Sequence, residues 1–317
     1  MNFPPALYRT GAAFRASFPK AVRIAWWMIR LTVVVSLGVE ILRYFGVIAW
    51  MSESLSPVFR LIGLSGEASL AFLTGYFVNV YGAIAVVETL SLGVRELTII
   101  GVMVLCAHNM FVETAVQKKT GSSIVRMVAV RTLGALAGGF LAHWLMPGSI
   151  GTVAPAAMPP VEQSLQTLAW SWLLSTGYLL LRMFVLIIAL SFLQRLLAEF
   201  GVIRRLSKAL RPILKIFGLP AKASFLWIVA NVLGLAYGAA VMMEEIDNGK
   251  ISAREVDLLN HHIGVAHSNL EDLILFVACG ALCWWLLLIR WFLAWLLVWE
   301  RRVELRISWR HCACRDL

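Results

Sequence analysis

Charge is scarce in this chain of 317 residues: 15% are Asp, Glu, Lys or Arg against 60% hydrophobic, and no stretch has the composition of a soluble domain. Mean hydropathy is +0.79, and several apolar runs are long enough to cross a hydrocarbon core of roughly 30 Å, which predicts a polytopic helical membrane protein. Acid is scarcer than base, 18 residues against 28. The net charge of +10 would suit a nucleic-acid binder, but the basic residues stand beside apolar spans, where cytoplasmic loops carry them. Nucleic acid is therefore excluded as a partner, and the lipid bilayer is expected instead. Cysteine is too rare for a disulfide framework: Cys106, Cys279 and Cys283 lie in apolar segments, and Cys312 and Cys314 form a lone CxC in a basic tail, without a second pair of metal ligands. A Gly-x-Ser-x-Gly elbow, an HExxH helix and a dinucleotide glycine fingerprint are all absent, so an enzyme is the least supported class and no cofactor is expected.

What is present begins with an apolar run over about 21–50, preceded by Arg9, Arg15, Lys20 and Arg23. The basic start imitates a signal peptide, yet the run is too long for an h-region and has no small-residue cleavage site, so it reads as a retained membrane helix. The chain also repeats itself. "FGVIAWMSESLSPVFRLIGLSGEAS" (45–69) aligns without a gap on "FGVIRRLSKALRPILKIFGLPAKAS" (200–224) at a constant offset of 155. "YGAIAVVET" (81–89) matches "YGAAVMMEE" (237–245), and "CAHNMFVET" answers "VAHSNLED" (265–272). The loop near 50–67 carries Glu53, Arg60 and Glu67, whereas its counterpart carries Arg204, Arg205, Lys208, Arg211, Lys215 and Lys222 with no acid. Equivalent loops of opposite charge face opposite sides of a membrane, which predicts an inverted-topology repeat.

The expected fold is thus all-α: two inverted repeats, each of three crossings plus a re-entrant hairpin. Crossings are read near 24–50, 68–89 and 123–146, and near 164–199, 223–243 and 284–300. The short apolar pieces 97–107 and 256–266, interrupted by His108 and by Asn260, His261 and His262, are read as the hairpin arms, with two ordinary short crossings as the alternative. The chain then divides into a cytoplasmic segment 1–23, a first membrane repeat 24–146, an extracytoplasmic linker 147–163, a second repeat 164–300 and a basic cytoplasmic tail 301–317. On this reading 118–126, 204–222 and both termini lie inside, and the acidic 244–257 lies outside. A bacterial inner membrane is the expected setting, and a homo-oligomer is compatible with it.

Hairpin tips meeting near the midplane bring together His108, Asn109 and Glu113 from one half with His267, Ser268, Asn269 and Glu271 from the other. Polar groups at that depth are costly, and histidine exchanges protons near neutral pH, so the set reads as a site for a small polar solute or ion coupled to protons or sodium. His108, Glu113, His267 and Glu271 also form a donor set suited to a divalent metal. The plainer alternative is a structural staple, since His267 and Glu271 are four apart on one helical face. Asn79 and Asn231, with Tyr81-Gly82 and Tyr237-Gly238, read as packing positions, Glu88 and Glu244 as interfacial helix ends, and Arg131 and Arg290, at matching places, as snorkelling groups or counter-charges. The tryptophans, Trp26, Trp27, Trp284, Trp285, Trp295 and Trp299 among them, fit an interfacial belt.

The repeated block "LSPVFRLIGLSGEASLAFLTGYFVNVYGAIAVVETL" and its partner "LRPILKIFGLPAKASFLWIVANVLGLAYGAAVMMEE" resemble the nucleoside-recognition, or Gate, domain. That domain is shared by concentrative nucleoside transporters, the membrane part of ferrous-iron permeases and spore-maturation membrane proteins. "HNMFVETAV" is similar to the hairpin-tip motif of the nucleoside transporters, which implies substrate binding by Asn109 and Glu113. The spacing of these two departs from the adjacent pair of that family, and a GTP-binding GxxxxGK[ST] loop is absent. The resemblance implies a secondary transporter for a small polar, nucleoside-like solute, with a divalent-metal permease and a non-transporting scaffold as alternatives.

Overall fold

The structure is a computed structural model that describes residues 6–90, 92–148, 150 and 165–313. Its regular structure is helical throughout those residues. In the first half α1 (Ala6–Tyr44) leads through Gly46 into α2 (Val47–Arg60), followed by α3 (Ala68–Phe77), α4 (Val80–Val87), α5 (Val94–Ala107), α6 (Met110–Lys119) and α7 (Ile124–Leu145). The second half follows the same plan with α8 (Leu165–Glu199), α9 (Val202–Ala209), α10 (Arg211–Ile216), a 3-10 turn at Ala221–Ala223, α11 (Ser224–Val232), α12 (Leu235–Asp247), α13 (Ala253–Ile263), α14 (Glu271–Ala278) and α15 (Cys283–Ala313). Among the described residues four stretches are long and apolar enough to cross a membrane: Val94–Lys119, Ile124–Leu145, Ala169–Glu199 and Cys283–Ile307. An integral membrane bundle of several apolar helices is therefore the architecture. Most of the 147–163 linker lies outside the described residues.

The chain folds back at two of the six stretches read as crossings, 68–89 and 223–243, and runs on where that reading placed hairpins. A continuous α-helix rises about 1.5 Å per residue, so positions eight apart lie roughly 12 Å apart. A Cβ built on Gly75 would nevertheless sit 3.1 Å from the Ala83 Cβ, and one on Gly238 would sit 3.1 Å from Ala230. The segments 68–89 and 223–243 are thus antiparallel helix pairs, not straight crossings, and their glycine and alanine faces let the arms touch. In the first pair Asn79 makes the turn with an extended backbone, its side chain accepting from the Gly82 amide to cap α4. In the second, Gly234 turns at φ 90°, a conformation that suits glycine. By contrast α5 and α6 form one interrupted 26-residue span.

The corresponding piece of the second half, 253–278, also runs from end to end. Asp257 at its start meets Ser122 and Arg301, while Leu282 just beyond its end donates its amide to Thr98 at the start of α5. These contacts also correct the position of the acidic 244–257 stretch. Glu255 lies 3.9 Å from Lys222, and Asp257 pairs with Arg301 at 2.7 Å, so the stretch shares a face with 118–126, 204–222 and the basic end of α15. Its carboxylates answer the basic loops directly, and a charge count by loop did not register that pairing. With native cysteines replaced, Asp247→Cys and Lys118→Cys should react with an impermeant thiol reagent from the same side, and Glu53→Cys from the other. Labelling of Asp247→Cys with Glu53→Cys alone would overturn this arrangement.

Candidate functional site

Both interrupted helices break at the same kind of residue for the same reason. Asn109 and Ser268 adopt φ 50° and 49°, in the left-handed region where neither is at ease except as a single turn residue. The break frees backbone groups far from the helix ends, and each must find a partner when no water is at hand. The Asn109 amide donates to the Gly75 carbonyl at 2.9 Å, and the Ser268 amide faces the Ala230 carbonyl at 3.4 Å, so the first arm of each folded-back pair caps the break. The freed carbonyls are collected by the two fully buried arginines. Arg131 donates through Nε to Gly264 O (3.0 Å) and Cys106 O (3.3 Å) and through Nη2 to His108 O (2.5 Å). Arg290 donates to Val265 O (2.9 Å) and His267 O (2.6 Å), and to Asn269 Oδ1 (3.1 Å). These arginines do not snorkel; they replace the hydrogen bonds that the helices lost.

On this scaffold four titratable side chains converge, two from each half, all buried. His108 Nε2 lies 3.2 Å from Glu113 Oε1 and 3.2 Å from Asp272 Oδ2. His267 Nε2 lies 3.2 Å from the same Glu113 Oε1, and Glu113 Oε2 pairs with Arg131 Nη2 at 2.6 Å. The imidazole rings tilt against each other with centroids 5.0 Å apart. Each ring is fixed from behind: Nδ1 of His108 meets the Val104 carbonyl at 3.1 Å and Nδ1 of His267 the Ile263 carbonyl at 2.6 Å. A carbonyl can only accept, so both Nδ1 atoms carry hydrogen and both Nε2 atoms are left for exchange. They then either hold protons and donate to the carboxylates or offer lone pairs to a cation. One ligand atom each from His108, Glu113 and His267 lies within 4.8 Å of the others, a donor set fit for a transition metal.

Of the seven residues expected at the site, His108, Glu113 and His267 meet. Asn109 and Ser268 contribute the break itself through their backbones. Asn269 turns aside, its amide nitrogen 2.5 Å from Asn231 Oδ1. Glu271 does not staple His267; it accepts from the Tyr81 hydroxyl at 2.7 Å and from Gln194 Nε2 at 3.2 Å. Asp272 occupies the place expected of Glu271, because the left-handed turn at Ser268 breaks the helix before α14 begins at Glu271, and the i,i+4 face does not carry across it. The repeat contained the signal: Asp272 follows His267 by the same five positions as Glu113 follows His108.

The family model described as "Gate: Nucleoside recognition" matches residues 25–146 and 180–285. An uncharacterized membrane protein of Bacillus subtilis, YvoD, is 30% identical over 282 residues, covering 87% of this chain and 90% of its own length. No solved structure matches.

Proposed function

Since the chain belongs to the nucleoside-recognition (Gate) family, a transport-associated and not a catalytic family, we propose that it is a secondary membrane transporter. Its ligand is a small polar solute, nucleoside-like in keeping with the family description, held by alternating access between the breaks at 108–113 and 267–272. The observation that carries this reading is the pair of imidazole–carboxylate contacts across the two halves, His267 with Glu113 and His108 with Asp272, each at 3.2 Å. Buried ionisable groups inside a membrane bundle serve pathways and proton relays, and contacts that bridge two halves are the ones a ligand would replace as the halves separate. Six crossings and two folded-back pairs, in two repeats of opposite orientation with both termini cytoplasmic, give the alternating frame. Uptake of labelled uridine and of a divalent cation by proteoliposomes tests the reading, and no flux of either would count against it.

A divalent cation as cargo is the second reading, supported by the three donor atoms within 4.8 Å. Protons and a cation would then compete for the same two Nε2 atoms. Because imidazole must be neutral to coordinate, cation affinity should fall as pH drops. Calorimetric titration with Mn2+ at two pH values checks this, and an affinity indifferent to pH would argue against imidazole ligands.

A further inference from the structure

The two halves share their central cluster but not what lies between it and the two faces. From Glu113 one turn along α6 comes Gln117, wholly buried, with neither side-chain atom hydrogen-bonded. Beside it Asn260 donates to Thr120 Oγ1 at 2.9 Å and to Ser122 Oγ at 3.0 Å, while its own Oδ1, also buried, has no partner. Ser122 donates to Asp257 at 2.6 Å, and Asp257 meets Arg301 at 2.7 Å, which reaches the half-exposed Glu304 at 2.8 Å. His261, 3.7 Å from Asp257, accepts from Arg126 Nε at 2.7 Å. A polar file thus runs from the central imidazoles to the face of 118–126.

The equivalent positions of the other half, 159 residues away, read differently. Gln117 corresponds to Phe276 and Asn260 to Gly101, and a Cβ on Gly101 would sit 3.1 Å from the Phe276 ring and 2.9 Å from Leu286. Ser122 corresponds to Ala281, and Asp257 to Thr98, whose hydroxyl is already used by Val94 O and the Leu282 amide. Thr120 corresponds to Cys279, whose Sγ lies 3.5 Å from Arg182 Nη2, but between it and the central cluster this route is filled by Phe276, Leu286 and Ala281, all buried. Buried polar atoms without partners are rare, and in a polar setting they mark bound water.

We propose that Gln117, Asn260, Thr120, Ser122 and Asp257 line a hydrated path between the central cluster and the face of 118–126, with no such path to the opposite face among the described residues. The path goes beyond the transport reading, because it assigns the face from which water reaches the central cluster.

Hydration is read without any transported ligand, so it stands or fails separately from the transport reading. With the five native cysteines replaced by alanine, Gln117→Cys and Ser122→Cys should react with a small cationic thiosulfonate added on the 118–126 side at least about tenfold faster than Phe276→Cys does from either side. Ser122→Cys is nearly isosteric and covers the case in which Gln117→Cys fails to fold. Radiolytic hydroxyl footprinting of the unaltered chain gives a second measurement. It should oxidise side chains in 116–122 and 256–262 while sparing Phe276 and Leu286. Protection of both cysteines, equal reaction at Phe276→Cys, or footprints of equal strength on the two routes would overturn the proposal.

Discussion

Arg131→Ala is expected to lower the stability of the folded chain by about 3–5 kcal/mol, the range for breaking a buried ion pair from one side. The guanidinium has no exposed surface and serves three carbonyls and the Glu113 carboxylate. Alanine would leave that carboxylate uncompensated and the carbonyls of the helix break unpaired in a region without bulk water. Lysine would restore the charge but not the fork that reaches Gly264 and His108 together, so Arg131→Lys should recover only part of the loss. Arg290→Ala should cost less, because its hydrogen-bond partners are two carbonyls and an amide oxygen, with no carboxylate among them. Thermal melting of the purified variants in detergent gives the order. A melting point unchanged by Arg131→Ala would mean that the breaks are held by something else.

The second large effect is on binding. His267→Ala removes the histidine of the second half that reaches across to Glu113, and Glu113→Gln removes the charge that both imidazoles share at 3.2 Å. If these groups hold the ligand, each change should cost about 2–3 kcal/mol of affinity, roughly 30–150-fold, the loss expected when a buried charged hydrogen bond goes unmade. Glu113→Gln keeps an oxygen for Arg131, so the protein should still fold. If the groups are staples, the same variants should melt earlier, and the folded fraction should bind as before.

The sequence made the membrane class, the repeat and three of the four central side chains legible, because composition, self-alignment and a His-carboxylate element recurring in both halves are one-dimensional signals. It misassigned which segments fold back. Runs of eleven apolar residues look too short to cross, and nothing in 97–107 or 256–266 announces that an arginine 23 positions beyond each histidine will satisfy the break and let the helix continue. Conversely, 68–89 is long and apolar enough to read as a crossing. Its turn at Asn79 and the contact of Gly75 with Ala83 become visible only in three dimensions. Asp272 was overlooked because the i,i+4 spacing of Glu271 suggested a helical pair, whereas Ser268 breaks the helix between them. The proposed polar file rests on residues from α6, the turn that follows it and α13, which no local pattern connects.

The most direct measurement is flux into proteoliposomes, with labelled uridine and Mn2+ as separate probes, at equal amounts of folded wild type and Glu113→Gln. The account predicts flux of at least one probe in the wild type and background flux of that probe in the variant. Equal flux in the two proteins, or no flux of either probe in the wild type, would contradict the assignment of the central cluster as the translocation site.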